Sequence, residues 1–499
     1  MSPKANLTLF ETTHLKTDIK KRSLRGGAVT LATQGLLVVL NLGATMILAR
    51  ILTPYDYGIM AMVAAITGFA YIFINLGLST ATIQREKINH DQVSNLFWIN
   101  TAIGAAIMLL VSGLAPAIAW FYQTPPLFWV TIALSCNFLI SGIAVQHQAL
   151  LDRQMRFLTI SIIKIGALLM GIATAITAAI NGYGYWALVL NTITTSICSL
   201  AGVWFATGWR PGHPRRNTGV GPMLRYGSDI LGFNVINYFS RNLDNILIGR
   251  FYGSAALGLY SKAYQLMMMP ITNLREPLNK VAMPSLSRLQ NDPVQYRNYY
   301  MKFISILAFL SMPVVVFMYT CSESIIALIL GPQWNGAVDI FRILALAAFI
   351  QPVCSTRGMV LLTTGKSRKY LWWGVGYAVV TILSFVIGLP WGAKGVATSY
   401  AIANYLILYP SLVYVFKDTP LRIRDFFIAI YKPLVASLAM AVAGFFMTTR
   451  LNGLSEVPIL LACFGMSVVI YLLALIVLPG GSKDLSEYYS FGRLVFSSK

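Results

Sequence analysis

The sequence is short of charge, and acids are scarcer than bases. Only 11% of the 499 residues are charged, and 38 Lys and Arg stand against 17 Asp and Glu. A water-soluble chain would carry about 25% charged residues. Hydrophobic residues instead make up 57% of the chain, and the mean hydropathy is +0.66. This composition excludes a set of water-soluble domains.

Side chains that bind metals or carry out catalysis are also few. The four histidines show no HExxH or paired spacing and the five cysteines no CxxC, so we expect neither a metal site nor disulfides. Paired carboxylates, a Ser/His/Asp set and a DxD motif are missing as well. We therefore expect no resident cofactor and no enzymatic activity. The cysteines are Cys136, Cys198, Cys321, Cys354 and Cys463, and the histidines are His14, His90, His147 and His213.

Long apolar runs separated by short polar links fill the chain. A helix of ~20 residues crosses a hydrocarbon core of ~30 Å, and backbone groups in lipid must bond within their own span, so each run is predicted to be helical. The sequence predicts an all-α polytopic membrane protein with about fourteen transmembrane helices. Their ranges are 27–49, 57–78, 94–118, 126–147, 159–180, 186–208, 225–249, 258–283, 302–321, 336–363, 371–388, 396–415, 428–449 and 457–479.

The positions of Lys and Arg predict the side on which each link lies. Basic residues accumulate in both tails and in the even-numbered links, whereas the odd-numbered links hold only Arg50, Arg250, Lys394 and Arg450. Because cytoplasmic loops hold the Lys and Arg, we expect a bacterial inner-membrane protein with both termini cytoplasmic. No apolar core precedes residue 27, so the N-terminal tail is not a cleaved signal. The net charge of +21 is spread over separate segments, which favours anionic membrane lipids over nucleic acid as partners.

Two halves of the chain are similar to each other. With an offset of 200, Arg50 aligns with Arg250 and Gly58 with Gly258, each time at the outer link between the first two helices of a half. Further on, with an offset of 210, Gly182 aligns with Gly392 and Ala187 with Ala397. An even number of helices per repeat keeps both halves in one orientation.

The repeat predicts two pseudo-symmetric six-helix lobes followed by two more helices. The predicted ranges are a cytoplasmic N-terminal tail 1–26, an N-lobe 27–208, a cytoplasmic inter-lobe link 209–224, a C-lobe 225–415, helices 13 and 14 within 428–479, and a cytoplasmic C-terminal tail 480–499.

Polar side chains follow one face of three predicted spans. A charge at the bilayer centre costs about 2.5–3.5 kcal/mol even on a lenient scale, so it normally faces a partner or a water-filled cavity. We therefore expect these faces to line a central hydrated cavity. They comprise Thr30, Thr33, Gln34, Asn41 and Thr45 on helix 1; Asp229, Asn234, Asn237, Ser240, Arg241, Asp244 and Asn245 on helix 7; and Lys262, Gln265, Thr272, Asn273, Glu276, Asn279 and Lys280 on helix 8.

Bases outnumber acids inside the predicted spans. A cavity with surplus positive charge favours an anionic solute such as phosphate or pyrophosphate. The alternative for these bases is hydrogen bonding to carbonyls of neighbouring helices, and Arg241 could simply neutralise Asp244 at i,i+3 spacing. Arg225, Lys302 and Lys432, near span ends, are interpreted as interfacial anchors. The candidate substrate-binding cations are Lys164, Arg241, Lys262, Arg275 and Arg357, and the polar candidates beside them are Asn41, Asn237, Gln265 and Asn273.

Acids inside the predicted spans are the candidates for energy coupling. A carboxylate there could bind a proton or a sodium ion, and this coupling ion is the one small ligand we expect besides the substrate. The candidates are Asp229, Asp244, Glu276 and Asp339.

Five segments of the chain match motifs of one family of membrane proteins. They are LGLSTATIQREKINHDQVSNLFWIN (76–100), ALLDRQMRF (149–157), GYGYWALV (182–189), NLDNILIGRFYGSAALGLYSKAYQLMMMP (242–270) and LGPQWNGAVDIFRILA (330–345). In these segments the chain resembles the polysaccharide transporter family of the multidrug/oligosaccharidyl-lipid/polysaccharide (MOP) superfamily. Within that family it resembles the Wzx-type, colanic-acid-exporter-like flippases.

The resemblance implies the MOP exporter fold, with a V-shaped cavity and alternating access. It implies a flippase that moves undecaprenyl-pyrophosphate-linked oligosaccharide repeat units to the outer leaflet for exopolysaccharide, capsule or O-antigen. It also implies functional cations in the lumen, for which Lys164, Arg241, Lys262 and Arg275 are the matching candidates by type and position. A polysaccharide polymerase and a chain-length regulator would then be partners.

Two other functions stay open from the sequence. A multidrug or cation antiporter of the related branch would need acids facing its cationic drug, whereas bases prevail here. A membrane polysaccharide polymerase or ligase would tend to carry a large outward loop, and the outward links here are short.

Overall fold

The computed structural model describes residues 10, 19–74, 79, 82, 83, 85, 88–215, 221–451 and 455–496, without the side chains of 19–24, 72, 74, 221–237, 239, 489 and 491–496. Most residues in those ranges are helical, and no strand occurs in them. In chain order the helices are α1 (Ile19–Ile51), α2 (Pro54–Ile74), α3 (His90–Tyr122), α4 (Leu127–Arg153), α5 (Phe157–Ile180), α6 (Trp186–Thr207), α7 (Gly221–Arg288), α8 (Pro293–Thr320), α9 (Ser322–Ile329), α10 (Ala337–Cys354), α11 (Thr356–Thr363), α12 (Ser367–Gly388), α13 (Gly392–Leu406), α14 (Leu408–Phe416), α15 (Ile423–Arg450), α16 (Glu456–Val477) and α17 (Gly481–Phe496).

Ten helical stretches in the described ranges are long and apolar enough to cross a membrane. The predicted spans 57–78, 225–249 and 258–283 coincide instead with α2 and with two parts of α7. One stretch, Ser367–Leu406, joins α12 and α13, where the sequence predicts two spans. The all-helical, multi-pass architecture is confirmed, and the number of about fourteen spans stays a prediction.

α7 contains a break where the seventh predicted span gives way to the eighth. Gly253 has φ 79° and ψ 179°, whereas the residues on either side are helical. A side chain would clash with the backbone at such a positive φ, so the position favours glycine. The break divides α7 into an earlier and a later segment.

The chain divides into two compact units, residues 1–258 and 259–499. In the N-terminal unit α3 and α4 pack closely at Gly104. A Cβ there would lie only 2.5 Å from the Phe138 carbonyl oxygen, so the helices can approach this closely because the residue is glycine. Small residues let membrane helices approach in this way. The predicted domain boundaries given above stay predictions.

Arg153, at the end of α4, fastens neighbouring chain segments of the N-terminal unit. It is 5% exposed. Its Nη1 donates to the carbonyl oxygens of Thr82 (2.9 Å) and Arg85 (2.5 Å), and its Nη2 donates to that of Phe10 (3.2 Å). A buried guanidinium requires acceptors of this kind, so Arg153 has a structural role.

The first part of the predicted inter-lobe link lies against α3. Ser94 Oγ accepts from the Gly212 N–H at 2.9 Å, and Trp98 Nε1 donates to the Gly212 carbonyl at 2.8 Å. The Asn95 amide accepts from the Arg215 N–H (2.8 Å) and donates to the Arg215 carbonyl (2.6 Å). These bonds use the backbone of the link, so they fix its course independently of its side chains.

In the C-terminal unit two buried tyrosines tie α8 to α11. The Tyr296 hydroxyl lies 2.7 Å from Thr363 Oγ1, and the Tyr300 hydroxyl lies 2.9 Å from Thr356 Oγ1. Both tyrosines belong to the apolar core of this unit. A buried phenol needs a hydrogen-bond partner, and the pairing provides one for each ring.

The predicted C-terminal tail contains α17, which packs on the C-terminal unit. Lys432 Nζ lies 2.5 Å from the Asp484 carboxylate, and Lys302 Nζ lies 3.2 Å from that of Glu487. The interpretation of Lys302 and Lys432 as interfacial anchors stays a prediction, to which the structure adds a partner for each. Both ammonium groups are ion-paired with α17.

The two ion pairs of α17 should contribute unequally to stability. The Lys432 side chain is 16% exposed, whereas Lys302 is 42% exposed. We expect Asp484→Asn to cost about 1–3 kcal/mol, because it leaves a largely desolvated ammonium without its counter-charge. Glu487→Gln should cost less than about 1 kcal/mol, as exposed pairs do. Thermal unfolding in detergent, followed by tryptophan fluorescence, measures both, and equal shifts would contradict the assignment.

Candidate functional site

The earlier segment of α7 presents a cation close in sequence to a buried acid. Arg241 is exposed, and Asp244 is 4% exposed with its carboxylate accepting from the Asn245 N–H at 2.8 Å. Among the residues that the structure describes, none is ion-paired with Arg241. The neutralising pair considered from the spacing is therefore not formed. The side chains of Asp229 and Asn237, predicted on the same face, lie outside the described residues.

Lys164 and Asn41 lie on α5 and α1, which pack together in the N-terminal unit. Thr33 Oγ1 on α1 donates to Ser161 Oγ on α5 at 2.7 Å. Lys164 is exposed one turn beyond Ser161. Asn41 is exposed too, and its amide donates to the Leu37 carbonyl of its own helix at 2.8 Å. Both residues are accessible, and their contact with substrate stays a prediction.

In the C-terminal unit the structure brings two predicted site residues together. Lys262 Nζ donates to Gln265 Oε1 at 2.9 Å. The Gln265 amide is a neutral partner that orients the ammonium group. Asn273 and Glu276 are exposed further along the same helix, and Arg275 is partly buried.

Arg357 was predicted as a lumenal cation, and the structure corrects that interpretation. The side chain is 3% exposed, its Nε donates to the Cys354 carbonyl at 2.8 Å, and its Nη1 donates to Ser411 Oγ. The guanidinium also lies over the Trp373 ring, 5.7 Å from its centroid. Desolvation forces a buried guanidinium to find such partners. Arg357 therefore joins α11 to α14 instead of facing a solute.

Asp339 was predicted as an intramembrane acid, but it lies in the first turn of α10 beside a base. Its carboxylate is 2.6 Å from Lys394 Nζ, and both side chains are more than half exposed. An exposed carboxylate already neutralised by a lysine is a poor site for a coupling ion. The ion pair accounts for Asp339 without a coupling role.

Two glycines of the predicted repeat form a reciprocal contact in the N-terminal unit. A Cβ on Gly58 would lie 1.7 Å from the Ser254 carbonyl oxygen, and one on Gly258 would lie 1.8 Å from the Pro54 carbonyl oxygen. Under the offset of 200, Gly58 corresponds to Gly258 and Pro54 to Ser254. The contact of Gly58 with Ser254 is therefore equivalent to the contact of Gly258 with Pro54. A two-fold axis generates such self-complementary contacts. The start of α2 therefore crosses the later segment of α7 backbone to backbone, and we call this contact the glycine crossing.

The helices of the glycine crossing also touch away from it. The Tyr238 hydroxyl lies 3.0 Å from the carbonyl oxygens of both Ala64 and Ala65 on α2. Near the crossing, the Arg250 guanidinium lies over the Phe121 ring, 5.8 Å from its centroid. The sequence contains no signal that separates Tyr238 from an ordinary interfacial aromatic residue, so sequence reasoning missed it. α2 and α7 are thus in contact from the glycine crossing, at the predicted outer end, to Tyr238 further inward.

These positions suit the binding of an anion. The Arg241 guanidinium offers five N–H donors in a planar fork that matches phosphate, and Lys262 offers a compact point charge. Each is fixed on a helix, so its position does not depend on a loop. In the described part of the chain, no group of three or more His, Cys, Asp and Glu side chains could hold a metal ion.

Larger residues at the glycine crossing should open it. A Cβ cannot fit within 2 Å of a carbonyl oxygen, and overpacking of about 1–3 kcal/mol raises an open population roughly fivefold or more. We expect Gly58→Val and Gly258→Val each to expose Ser254, which is 6% exposed. Labelling of Ser254→Cys by an impermeant maleimide, with the native cysteines replaced, measures this exposure.

Gly113→Val is the matched control for this experiment. Gly113 lies on α3 of the same unit, and a Cβ there would meet nothing within 4 Å. Its labelling rate should equal that of the parent. Equal rates in all three valine variants would show that the crossing does not protect Ser254.

Comparison with known proteins places the chain among proteins of polysaccharide biosynthesis. A family model described as polysaccharide biosynthesis protein matches residues 47–339. The chain is 28% identical over 433 residues to the teichuronic acid biosynthesis protein TuaB of Bacillus subtilis, covering 86% of this chain and 89% of that one. It is 23% identical over 445 residues to the lipopolysaccharide biosynthesis protein WzxC of Escherichia coli, covering 87% and 89%. It is 23% identical over 398 residues to the succinoglycan biosynthesis transport protein ExoT of Rhizobium meliloti, covering 79% and 80%.

Solved structures share the fold. The lipid II flippase MurJ in an inward closed conformation superposes with a TM-score of 0.70 at 15% identity, over 90% of this chain and 98% of that one. A multidrug resistance MATE family transporter of the MOP superfamily, inward-facing, superposes with a TM-score of 0.59 at 13% identity, over 76% and 93%. The predicted MOP fold is confirmed, and the arrangement of two six-helix lobes stays a prediction.

Proposed function

The chain belongs to the polysaccharide biosynthesis protein family, and from that premise we propose that it is a flippase for a lipid-linked oligosaccharide. It is a multi-pass membrane transporter and not an enzyme. The proposed substrate is an undecaprenyl-pyrophosphate-linked repeat unit, moved from the cytoplasmic to the outer leaflet of a bacterial inner membrane. The product would supply exopolysaccharide, capsule or O-antigen synthesis.

The observation that carries the proposal is an accessible cation on a polar helix face in each unit. Arg241 is exposed in the N-terminal unit, and Lys262 is held by the neutral Gln265 in the C-terminal unit. Charge-assisted hydrogen bonds from such groups to phosphate are about twice as strong as neutral ones. A pyrophosphate headgroup carries the negative charge that such cations bind.

The rest of the substrate would be met by other parts of the protein. Exposed amides such as Asn41 and Asn273 can exchange hydrogen bonds with sugar hydroxyls. The prenyl tail would stay in lipid through a lateral opening between two six-helix lobes. The glycine crossing would form the outer seal, and its opening would release the headgroup outward in an alternating-access cycle.

Energy would come from antiport of H+ or Na+. Asp244 is the leading candidate, because it is buried on the same helix as Arg241. Asp229 and Glu276 are the other candidates. A buried carboxylate on the helix that carries the substrate-binding cation could bind the coupling ion in one state of the cycle and release it in another. Both termini would be cytoplasmic, and a polysaccharide polymerase and a chain-length regulator would receive or control the exported unit.

Removing both site cations should stop export. In a strain that depends on this chain, we expect Arg241→Gln with Lys262→Gln to lower surface polysaccharide at least about a hundredfold and to leave lipid-linked repeat units inside. Each lost charge-assisted bond is worth about 1.5–3 kcal/mol, which is roughly tenfold or more. Quantification of surface glycan and of extracted lipid-linked sugars checks the result.

Two controls separate this mechanism from its alternatives. Arg241→Lys with Lys262→Arg keeps both charges and should retain most export, and Arg450→Gln in a predicted outward link should retain all of it. Normal export in the double glutamine variant would refute the cationic site. Broad drug hypersensitivity of a deletion strain with normal surface glycan would point to a multidrug antiporter.

A further inference from the structure

Two loops of the C-terminal unit meet and gather basic side chains. One loop precedes α12, and the other connects α14 to α15. Lys366 Nζ donates to the Asp418 carbonyl, and Lys369 Nζ lies 2.7 Å from the Asp418 carboxylate. Asp418 itself has φ 61°, a left-handed conformation, which these two contacts help to hold. One aspartate therefore binds both loops together.

The acids in these loops are too few to neutralise the bases. Asp425 is taken by Arg297, with N···O distances of 2.7 and 2.5 Å. Asp418 is then the one acid left in the two described loops, and Lys369 already pairs with it. Four exposed bases lie close in sequence to Lys369 or Asp418 and form no ion pair to any described acid: Arg368, Lys417, Arg422 and Arg424. We call Lys366, Lys369 and these four residues the basic patch.

Burial and neighbouring charges shift two pKa values in the basic patch. Desolvation first and repulsion by Lys369 second lower the pKa of Lys366. The hydrogen bond from Lys369 lowers the pKa of Asp418. Positive charge is thus already in excess between the loops, and an anion would relieve it.

Apolar side chains are exposed directly beside the basic patch. Leu371 and Trp372 project from the second turn of α12, and Val413 and Tyr414 from the end of α14; Trp372 is 58% exposed. The Tyr414 hydroxyl donates to the Lys369 carbonyl at 3.4 Å, which joins the two groups. A free phosphate would not use this apolar border, whereas a lipid presents a phosphate next to acyl chains.

We propose that the basic patch is a docking site for the headgroup of an anionic glycerophospholipid, such as phosphatidylglycerol, in the inner leaflet. The four exposed bases contact the phosphate and polar headgroup. Leu371, Trp372 and Val413 contact the upper acyl chain. Lys366, Lys369 and Asp418 hold the two loops in the arrangement that brings these groups together.

Native mass spectrometry of the purified full-length protein tests the site. The variant is R368Q/K417Q/R422Q/R424Q, which spares the contacts between the loops. The control, R25Q/R210Q/R288Q/K483Q, neutralises four exposed bases elsewhere in the chain. Phosphatidylglycerol is titrated against phosphatidylcholine of the same acyl chains. Each Lys or Arg near the membrane surface strengthens the attraction to anionic lipid headgroups. We therefore expect phosphatidylglycerol binding to be at least about tenfold weaker in the patch variant, which lacks four of these charges.

Each outcome supports the site or overturns it. Support requires a loss confined to the patch variant, phosphatidylcholine binding unchanged, and the control within about twofold of the parent. Equal losses in both variants would mean diffuse charge attraction, and equal affinity for both lipids would mean no headgroup recognition. Displacement of the lipid by millimolar inorganic phosphate would overturn the proposal that the ligand is a lipid, because phosphate alone would then be enough for binding.

Discussion

The structure depends on one constraint: hydrocarbon offers no hydrogen bonds, so each charged group in a span must find a partner or face water. Three arginines show the available solutions. Arg153 donates to backbone carbonyls, and Arg357 donates to a carbonyl and a hydroxyl while lying over Trp373. Both guanidinium groups are buried and hydrogen-bonded to neighbouring segments of the protein. Arg241 instead stands exposed on its helix, and its contact with a solute stays a prediction.

The scarcity of acids extends this constraint to the whole chain. In the C-terminal unit Asp425, Asp484 and Asp339 are each taken by a base. Because the chain has only 17 acids against 38 bases, such pairs use up acids and leave bases in excess. The cation at the proposed transport site and the cations of the basic patch are two results of one imbalance, and both favour phosphate-bearing lipids.

Sequence patterns predicted what depends on local composition and failed where distant partners decide. Apolar runs gave the helices, because a span must bond its own backbone. Arg357 is held in the protein interior by a hydrogen bond to Ser411, which follows it by 54 residues. Lys432 is ion-paired with Asp484, which lies in a segment interpreted as a tail. No periodicity encodes such pairings. Lys262 and Gln265 were found together because both lie on one helix face.

The glycine crossing shows why a weak repeat signal carried real information. The pairing of Gly58 with Gly258 is one of few identities between the halves. The two residues that these glycines contact, Ser254 and Pro54, also align with each other under the same offset. Each half supplies one glycine and one carbonyl, so a side chain in either half would break the same contact. No ion pair or large side chain is needed where backbones touch directly. Such a contact relies on close packing, and a gap of about 0.5–1 Å forfeits about a quarter to a half of its dispersion energy. Separating the two glycines from the carbonyl groups that they contact would break no ion pair.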